Sequence, residues 1–239
     1  MVKIEKLVAD GFEASMRGMR NPLNSWAKSD SSYTTISDGE NFTNVYTIGP
    51  KDLDLCQRLI KAGPAHSKFL RQINISFDVT GPLYWWKEFD TYKINTTSNS
   101  CSTMHKIAEK EFTLKDFSCE HLLGWNDDFS AECVINYGHT PDGYPTETVP
   151  VDLMNEIIKM LNVVRELYLK TKDKKYWWQM IQLLPSSYNQ KRTITMNYAV
   201  ARNIIEQRRN HKLDEWEQVL DSLKDLPYAE ELLFYGLEG

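Results

Sequence analysis

From Ile73 to Thr80 the chain alternates strictly: Ile73, Ile75, Phe77 and Val79 are apolar, while Asn74, Ser76, Asp78 and Thr80 are polar. A period of two puts the four apolar side chains on one face, which predicts a half-buried antiparallel strand. Gly81-Pro82 ends it, and the aromatic run Leu83 to Phe89 predicts a helix. A segment dense in Asn, Thr, Ser and Cys follows. Polar residues so crowded after an aromatic element line a site more often than they fill a core.

Elsewhere the spacing is helical. Leu153, Ile157, Leu161, Val164 and Tyr168 recur every three to four residues, which predicts an amphipathic helix over Val151–Thr171. Leu53, Cys56, Leu59 and Ile60 predict another over Pro50–Ala62, stopped by Gly63-Pro64. Further helices are expected over Phe12–Trp26, Leu114–Leu123, Tyr176–Leu183, Ile194–Arg208, Leu213–Leu223 and Tyr228–Phe234, after a short first strand at Val2-Lys3-Ile4. Ser29–Asn44, rich in Ser, Thr, Asp, Asn and Gly, reads as surface loop. Gly124–Pro150 reads likewise, with turn chemistry from His139 to Gly143.

A chain of 239 residues can bury a substantial core, and residues 1–239 are read as one domain. Its net charge of −5 disfavours broad binding to nucleic acid and leaves room for a local basic pocket. The sequence has no long apolar run, and its N-terminus, MVKIEKLVADGFEA, carries acidic residues where a signal peptide is apolar, so a cytoplasmic protein with no membrane contact is expected. Cys56, Cys101, Cys119 and Cys133 show neither CxxC nor Cys/His ligand spacing, so no metal site is expected and the thiols read as reduced. Lys170 to Lys175 ends the long helix, where positive charge suits the dipole. The two tryptophan pairs, Trp85-Trp86 and Trp177-Trp178, read as core or interface residues.

The order of these elements points to one family. Its members open a strand with His-x-Thr-Pro-Phe-Glu-His, and this chain has His66-Ser67-Lys68-Phe69-Leu70-Arg71-Gln72. Their Ala-Pro-Ile-Phe-Val turn is similar to Gly81-Pro82-Leu83-Tyr84-Trp85. Their Arg-His-Arg-x-x-Ser-x-Asn-Glu-x-Ser-x-Arg is answered by Thr91-Tyr92-Lys93 and then Ser98-Asn99-Ser100-Cys101-Ser102. Far downstream, Leu184-Pro185, Thr195-Met196-Asn197, Asn203 and Arg208 follow the family spacing without a gap. From Val2 to about Val219 the chain resembles the flavin-dependent thymidylate synthases. The resemblance implies an α/β (α+β) fold, a central antiparallel sheet flanked by helices with a helical C-terminal half, assembled as a homotetramer. It also implies FAD in a pocket shared between subunits, with NADPH and methylenetetrahydrofolate as co-substrates for methylating dUMP or a related pyrimidine nucleotide.

Residue by residue, the resemblance assigns His66, Lys68, Lys93, Asn99, Asn197 and Asn203 to the flavin. It assigns Ser100, Cys101, Ser102, His105 and Arg208 to the substrate, with Arg208 as the catalytic candidate. A fixed guanidinium stabilises charge developing on a pyrimidine carbonyl. Each assignment has a plainer counterpart. His66 is also a lone histidine near a turn, and Arg208 with Arg209 and Lys212 also makes a solvated basic patch. Asn197 and Asn203 lie six residues apart, about 120° from a common helix face, and also read as exposed amides. Cys101, beside Lys93 or His105, reads as a nucleophile or as a small packing residue. The chain departs from the family at Thr91-Tyr92-Lys93, at Thr103-Met104-His105 after Ser102, and at Met180-Ile181-Gln182, each time losing arginine. A nucleotide- or flavin-binding module without catalysis is therefore the alternative function, and a ligand-free structural oligomer the third.

Overall fold

The alternation around Ile75 becomes the middle of a sheet. In a computed structural model, which describes residues 1–37, 39, 42–127 and 133–237, the strands are β1 (Lys3–Asp10), β2 (Ser32–Ser37), β3 (Phe42–Thr47), β4 (Asn74–Pro82), β5 (Thr97–Ser100), β6 (Ile135–His139), β7 (Pro145–Thr148) and β8 (Asn189–Asn197). The helices are α1 (Phe12–Arg20), α2 (Pro50–Lys61), α3 (Leu83–Phe89), α4 (Thr103–Lys106), α5 (Pro150–Thr171), α6 (Lys174–Leu183), α7 (Tyr198–Arg208) and α8 (Glu215–Leu223). The fold is mixed α/β, with a central antiparallel sheet flanked by helices, its four strands in the order β1-β4-β8-β5. Residues 2–79, 89–99 and 192–239 form one compact unit, and Met1, 80–88 and 100–191 form another.

The first unit holds most of the sheet. On β4, Ile75, Phe77 and Val79 are buried, and the opposite face is tied polar to polar. Ser76 meets the Thr195 hydroxyl at 3.2 Å, and Thr193 donates to Asp78 at 2.7 Å. Cross-strand pairs of this kind fix the register that the apolar face demands. The expected helix over Ile194–Arg208 is corrected here: Ile194 and Met196 are buried on strand β8 while Thr193 and Thr195 face outward. The helix begins only after Asn197, whose Oδ1 accepts from the Val200 amide at 3.1 Å as an N-cap. Helix α1 also ends earlier than expected, because Pro22 has no N–H to donate and the chain passes into a 3-10 turn at Asn21–Leu23. It starts at Gly11, where φ is +88° and an added Cβ would lie 2.2 Å from the Gln72 carbonyl oxygen.

Ser29–Asn44 is not a plain loop, for β2 and β3 pair antiparallel from Ser32↔Thr47 to Ser37↔Phe42. Nearly all of its residues are exposed, so no buried face imposed alternation on the sequence. Beneath it lies a buried ion pair. Asp52 is fully enclosed and accepts from Arg20 Nε at 2.5 Å, Ser29 Oγ at 2.5 Å and Ser31 Oγ at 2.6 Å.

In the second unit α5 and α6 pack together over a core of Phe112, Phe117, Met154, Ile158, Leu161, Val164 and Met180. The buried stripe is turned one residue from the expected one: Met154 and Ile158 face inward, Ile157 and Tyr168 pack at its edge, and Leu153 is exposed. Leu114–Leu123 holds only a 3-10 turn at Leu114–Asp116. Within Gly124–Pro150, β6 and β7 form a hairpin whose connection is the expected turn, closed by Gly143 N–H to Thr140 carbonyl at 2.9 Å. Trp85 and Trp86 are buried. Trp178, by contrast, is largely exposed, with the Lys174 ammonium over its ring.

Candidate functional site

The first unit carries two hollows that share a wall. One, of about 600 Å³, is lined by Lys61, Ser67, Leu70, Arg71, Ala199, Arg202, Asn203 and Glu206 among others. The second, of about 320 Å³, is lined by Arg71, Thr91 to Asn95, Ala199, Val200 and Asn203. Both fall in the size range of small-molecule sites, roughly 300–1,000 Å³. Arg71, Ala199 and Asn203 line both, so these three define the centre of the candidate site.

The charge is one-sided. Among the described residues, Lys61, Arg71 and Arg202 line the larger hollow with one carboxylate, Glu206, and Arg71 and Lys93 line the smaller with none. The first turn of α7 also borders both hollows, but its Tyr198 and Val200 amides are already engaged, by the Ile73 carbonyl at 3.0 Å and by Asn197 Oδ1 at 3.1 Å. Arg202 is committed to structure, donating to the carbonyls of Leu233 and Leu232 at 2.9 and 3.4 Å. Burial lowers its pKa from the ordinary arginine value. Arg71 is exposed at the end of the 3-10 segment Lys68–Gln72 and makes no ion pair among the described residues. It borders both hollows.

The structure brings together some of the sequence-derived candidates and separates others. Lys93 and Asn203 line the smaller hollow together with Tyr92. Tyr92 is buried, and its ring packs with Phe89 and Trp216. Arg208 is half-buried, its Nε donating to Tyr92 Oη at 2.8 Å and its guanidinium lying 4.8 Å from the Trp216 ring centroid. Asn197 is the buried cap of α7. His66 does not open a strand: it is exposed in the turn after Gly63, its amide donating to the Gly63 carbonyl at 3.0 Å. Lys68 begins the 3-10 segment, and the wall there comes from Ser67, Leu70 and Arg71. Asn99 and Ser100 are exposed on β5.

Cys101, Ser102 and His105 belong to the second unit. Ser102 Oγ caps the short α4 by accepting from the His105 amide at 3.2 Å. Cys101 is exposed, and its amide donates to the Lys191 carbonyl at 2.9 Å. Cys56 is a different thiol: it is buried between Met19 Sδ at 3.4 Å and Met16 Sδ at 3.7 Å. Burial, aided by the Asp52 charge, pushes its pKa up to about 12. Alkylation of the native protein at neutral pH is therefore expected to modify Cys101 and Cys133, both exposed, and to leave Cys56 intact until the protein unfolds. Peptide mapping by mass spectrometry reads this directly, and early labelling of Cys56 would contradict it.

Two contributors had gone unassigned in the sequence. Arg71 is an isolated exposed cation with no periodic signal. Gln207, which donates from Nε2 to Asn203 Oδ1 at 3.0 Å, was legible only as an amide four residues along the same helix face.

These hollows lie on an α/β scaffold that shares the fold of the flavin-dependent thymidylate synthases. The chain is similar to the enzyme ThyX of Helicobacter pylori, solved with FAD and dUMP. The two share 16% identity and a TM-score of 0.61 over 97% of this chain and 98% of that one. It is also similar to PolB of Streptomyces cacaoi, a UMP/dUMP methylase solved with 5-Br dUMP, at 15% identity and a TM-score of 0.56 over 99% and 96% of the two chains. No family profile and no curated protein matches the chain by sequence. Identities this low establish a shared fold in a divergent sequence. Among the described residues no helix is long and apolar enough to cross a membrane, and no group of three or more His, Cys, Asp or Glu could hold a metal ion.

Proposed function

We propose that the protein is a flavin-dependent enzyme that modifies a pyrimidine nucleotide, dUMP or a close relative, with FAD held at the Arg71–Asn203 cleft. The observation that carries this reading is the pair of hollows sharing Arg71 and Asn203, with Glu206 as the one carboxylate among their described lining residues, on a ThyX-like fold. The donor set suits such a cofactor: a guanidinium, an ammonium and a side-chain amide match the oxygens of a pyrophosphate. Bound and reduced, the flavin would supply reducing equivalents for methylation.

In this reading Arg71 and Lys93 neutralise the phosphates. Asn203 donates to an oxygen of the ligand, and Asn197 fixes the end of α7 that borders both hollows. His66, Lys68 and Asn99 extend the flavin contacts. Ser100, Cys101, Ser102 and His105 contact the nucleotide. Arg208 is the catalytic candidate, its guanidinium offered to the pyrimidine carbonyl and held in place by Tyr92. A homotetramer with shared pockets, a cytoplasmic setting, NADPH and methylenetetrahydrofolate belong to the same reading, with residues 1–239 acting as one functional domain.

One specific feature favours a second reading, a module that binds the ligands without turnover. Thr91-Tyr92-Lys93 offers one cation where the resembling family has two arginines and a histidine. The two readings part on a single assay. With FAD, dUMP and methylenetetrahydrofolate present, the enzyme reading expects nucleotide-dependent oxidation of NADPH and a methylated pyrimidine by mass spectrometry. Ligand binding without either product supports the second reading.

A further inference from the structure

We propose that Tyr92 is a positioning residue that sets Asn203 as a hydrogen-bond donor toward the cleft and holds Arg208 in register with it. The proposal rests on the nucleotide reading above for its ligand, though not for its geometry. Arg208 Nε, which can only donate, gives its hydrogen to Tyr92 Oη at 2.8 Å. The phenol therefore accepts at that contact, and its one proton goes to Gln207 Oε1 at 3.0 Å. With its oxygen so engaged, Gln207 turns its amide nitrogen to Asn203 Oδ1 at 3.0 Å. Asn203 is left with its amide N–H groups for the cleft. The donating arginine, the phenol's single proton and the orientations of the two amides in this structure agree on one sense for the whole chain.

The anchor is rigid. Tyr92 is buried, its ring is 6.1 Å from Trp216 and 6.4 Å from Phe89, and the Arg208 guanidinium lies 5.5 Å from its centroid. A cleft residue fixed as a donor selects acceptor-rich ligands, such as phosphate or carbonyl oxygens, and disfavours ligand N–H groups at that point. It also gives Tyr92 a purpose at a position where the resembling family carries histidine, another ring that both accepts and donates.

The test uses the full-length protein with FAD and dUMP as probes. Tyr92→Phe keeps the ring and the cation–π contact but removes the hydroxyl. It is expected to weaken FAD binding roughly five- to tenfold with little change in melting temperature. Gln207→Glu, which cannot donate to Asn203, is expected to weaken it at least as much, whereas Tyr92→His restores most of the affinity. Unchanged affinity in both Tyr92→Phe and Gln207→Glu would overturn the proposal. If the wild-type protein binds neither FAD nor dUMP, the nucleotide reading fails and the relay is judged on ligand-free protein. There the side-chain amide NMR signals of Asn203 and Gln207 are expected to shift in Tyr92→Phe, and signals that stay in place would overturn the relay itself.

Discussion

Asp52→Ala is expected to cost about 3–5 kcal/mol of stability, the range for removing one partner of a buried ion pair. The loss arises because the Arg20 guanidinium, itself buried, would keep its charge with no carboxylate beside it. Ser29 and Ser31 would also lose the acceptor of their hydroxyl protons. Urea unfolding at neutral pH measures the effect, and a loss below about 1 kcal/mol would mean that the pair behaves as a surface ion pair.

The same pair predicts a pH dependence with a definite sign. Burial alone would raise the Asp52 pKa, but the hydroxyls of Ser29 and Ser31, the Arg20 hydrogen bond and its charge hold it below the ordinary carboxylate value of 3.8. The unfolded chain therefore takes up a proton at a higher pH than the folded protein does. The stabilisation is complete above the ordinary value and is lost as pH falls from there through the folded pKa. The stability difference between wild type and Asp52→Asn should accordingly shrink in acid. A difference that stayed constant down to the acid transition would contradict this account of the pair.

Arg71→Glu is the second large expectation, and it concerns binding. Arg71 is exposed, carries no ion pair among the described residues and lines both hollows, so its replacement should leave the fold close to intact. A charge-assisted hydrogen bond to a phosphate contributes about 1.5–3 kcal/mol, which corresponds to roughly 10- to 150-fold in affinity. Placing a carboxylate there adds repulsion, so at least the upper part of that range is expected for FAD. Arg71→Lys should recover a fraction, since it keeps the charge but not the planar fork. An unaltered Kd in Arg71→Glu would remove this cleft from the account.

The sequence made legible those elements whose burial imposes a period. β4 announced itself through Ile75, Phe77 and Val79, and α5, α2 and α6 through their helical spacing. The hairpins β2–β3 and β6–β7 carried no such signature, because solvent on both faces leaves composition free to follow turn-like residues. β8 is hidden in the sequence for another reason. Ile194 and Met196 alternate with Thr193 and Thr195, but the segment runs directly into the helical pattern of α7, and the boundary lies at the Asn197 cap. At the candidate site, Lys93 and Asn203 were named from the resemblance, and both line the smaller hollow. Arg71 and Gln207 were not, since their roles depend on which elements the fold brings beside them. Conversely, His66 opened a strand in the sequence reading but occupies an exposed turn.

The central claim is that the cleft around Arg71 and Asn203 takes a flavin nucleotide, and one titration tests it most directly. Purified protein is titrated with FAD while the flavin absorbance and fluorescence are followed, in wild type and in Arg71→Glu. The account predicts saturable binding with a perturbed flavin spectrum in the wild type and its severe weakening in the variant. Wild-type protein that leaves the flavin spectrum unchanged at every concentration, or that binds FAD equally well with Glu at position 71, would contradict it.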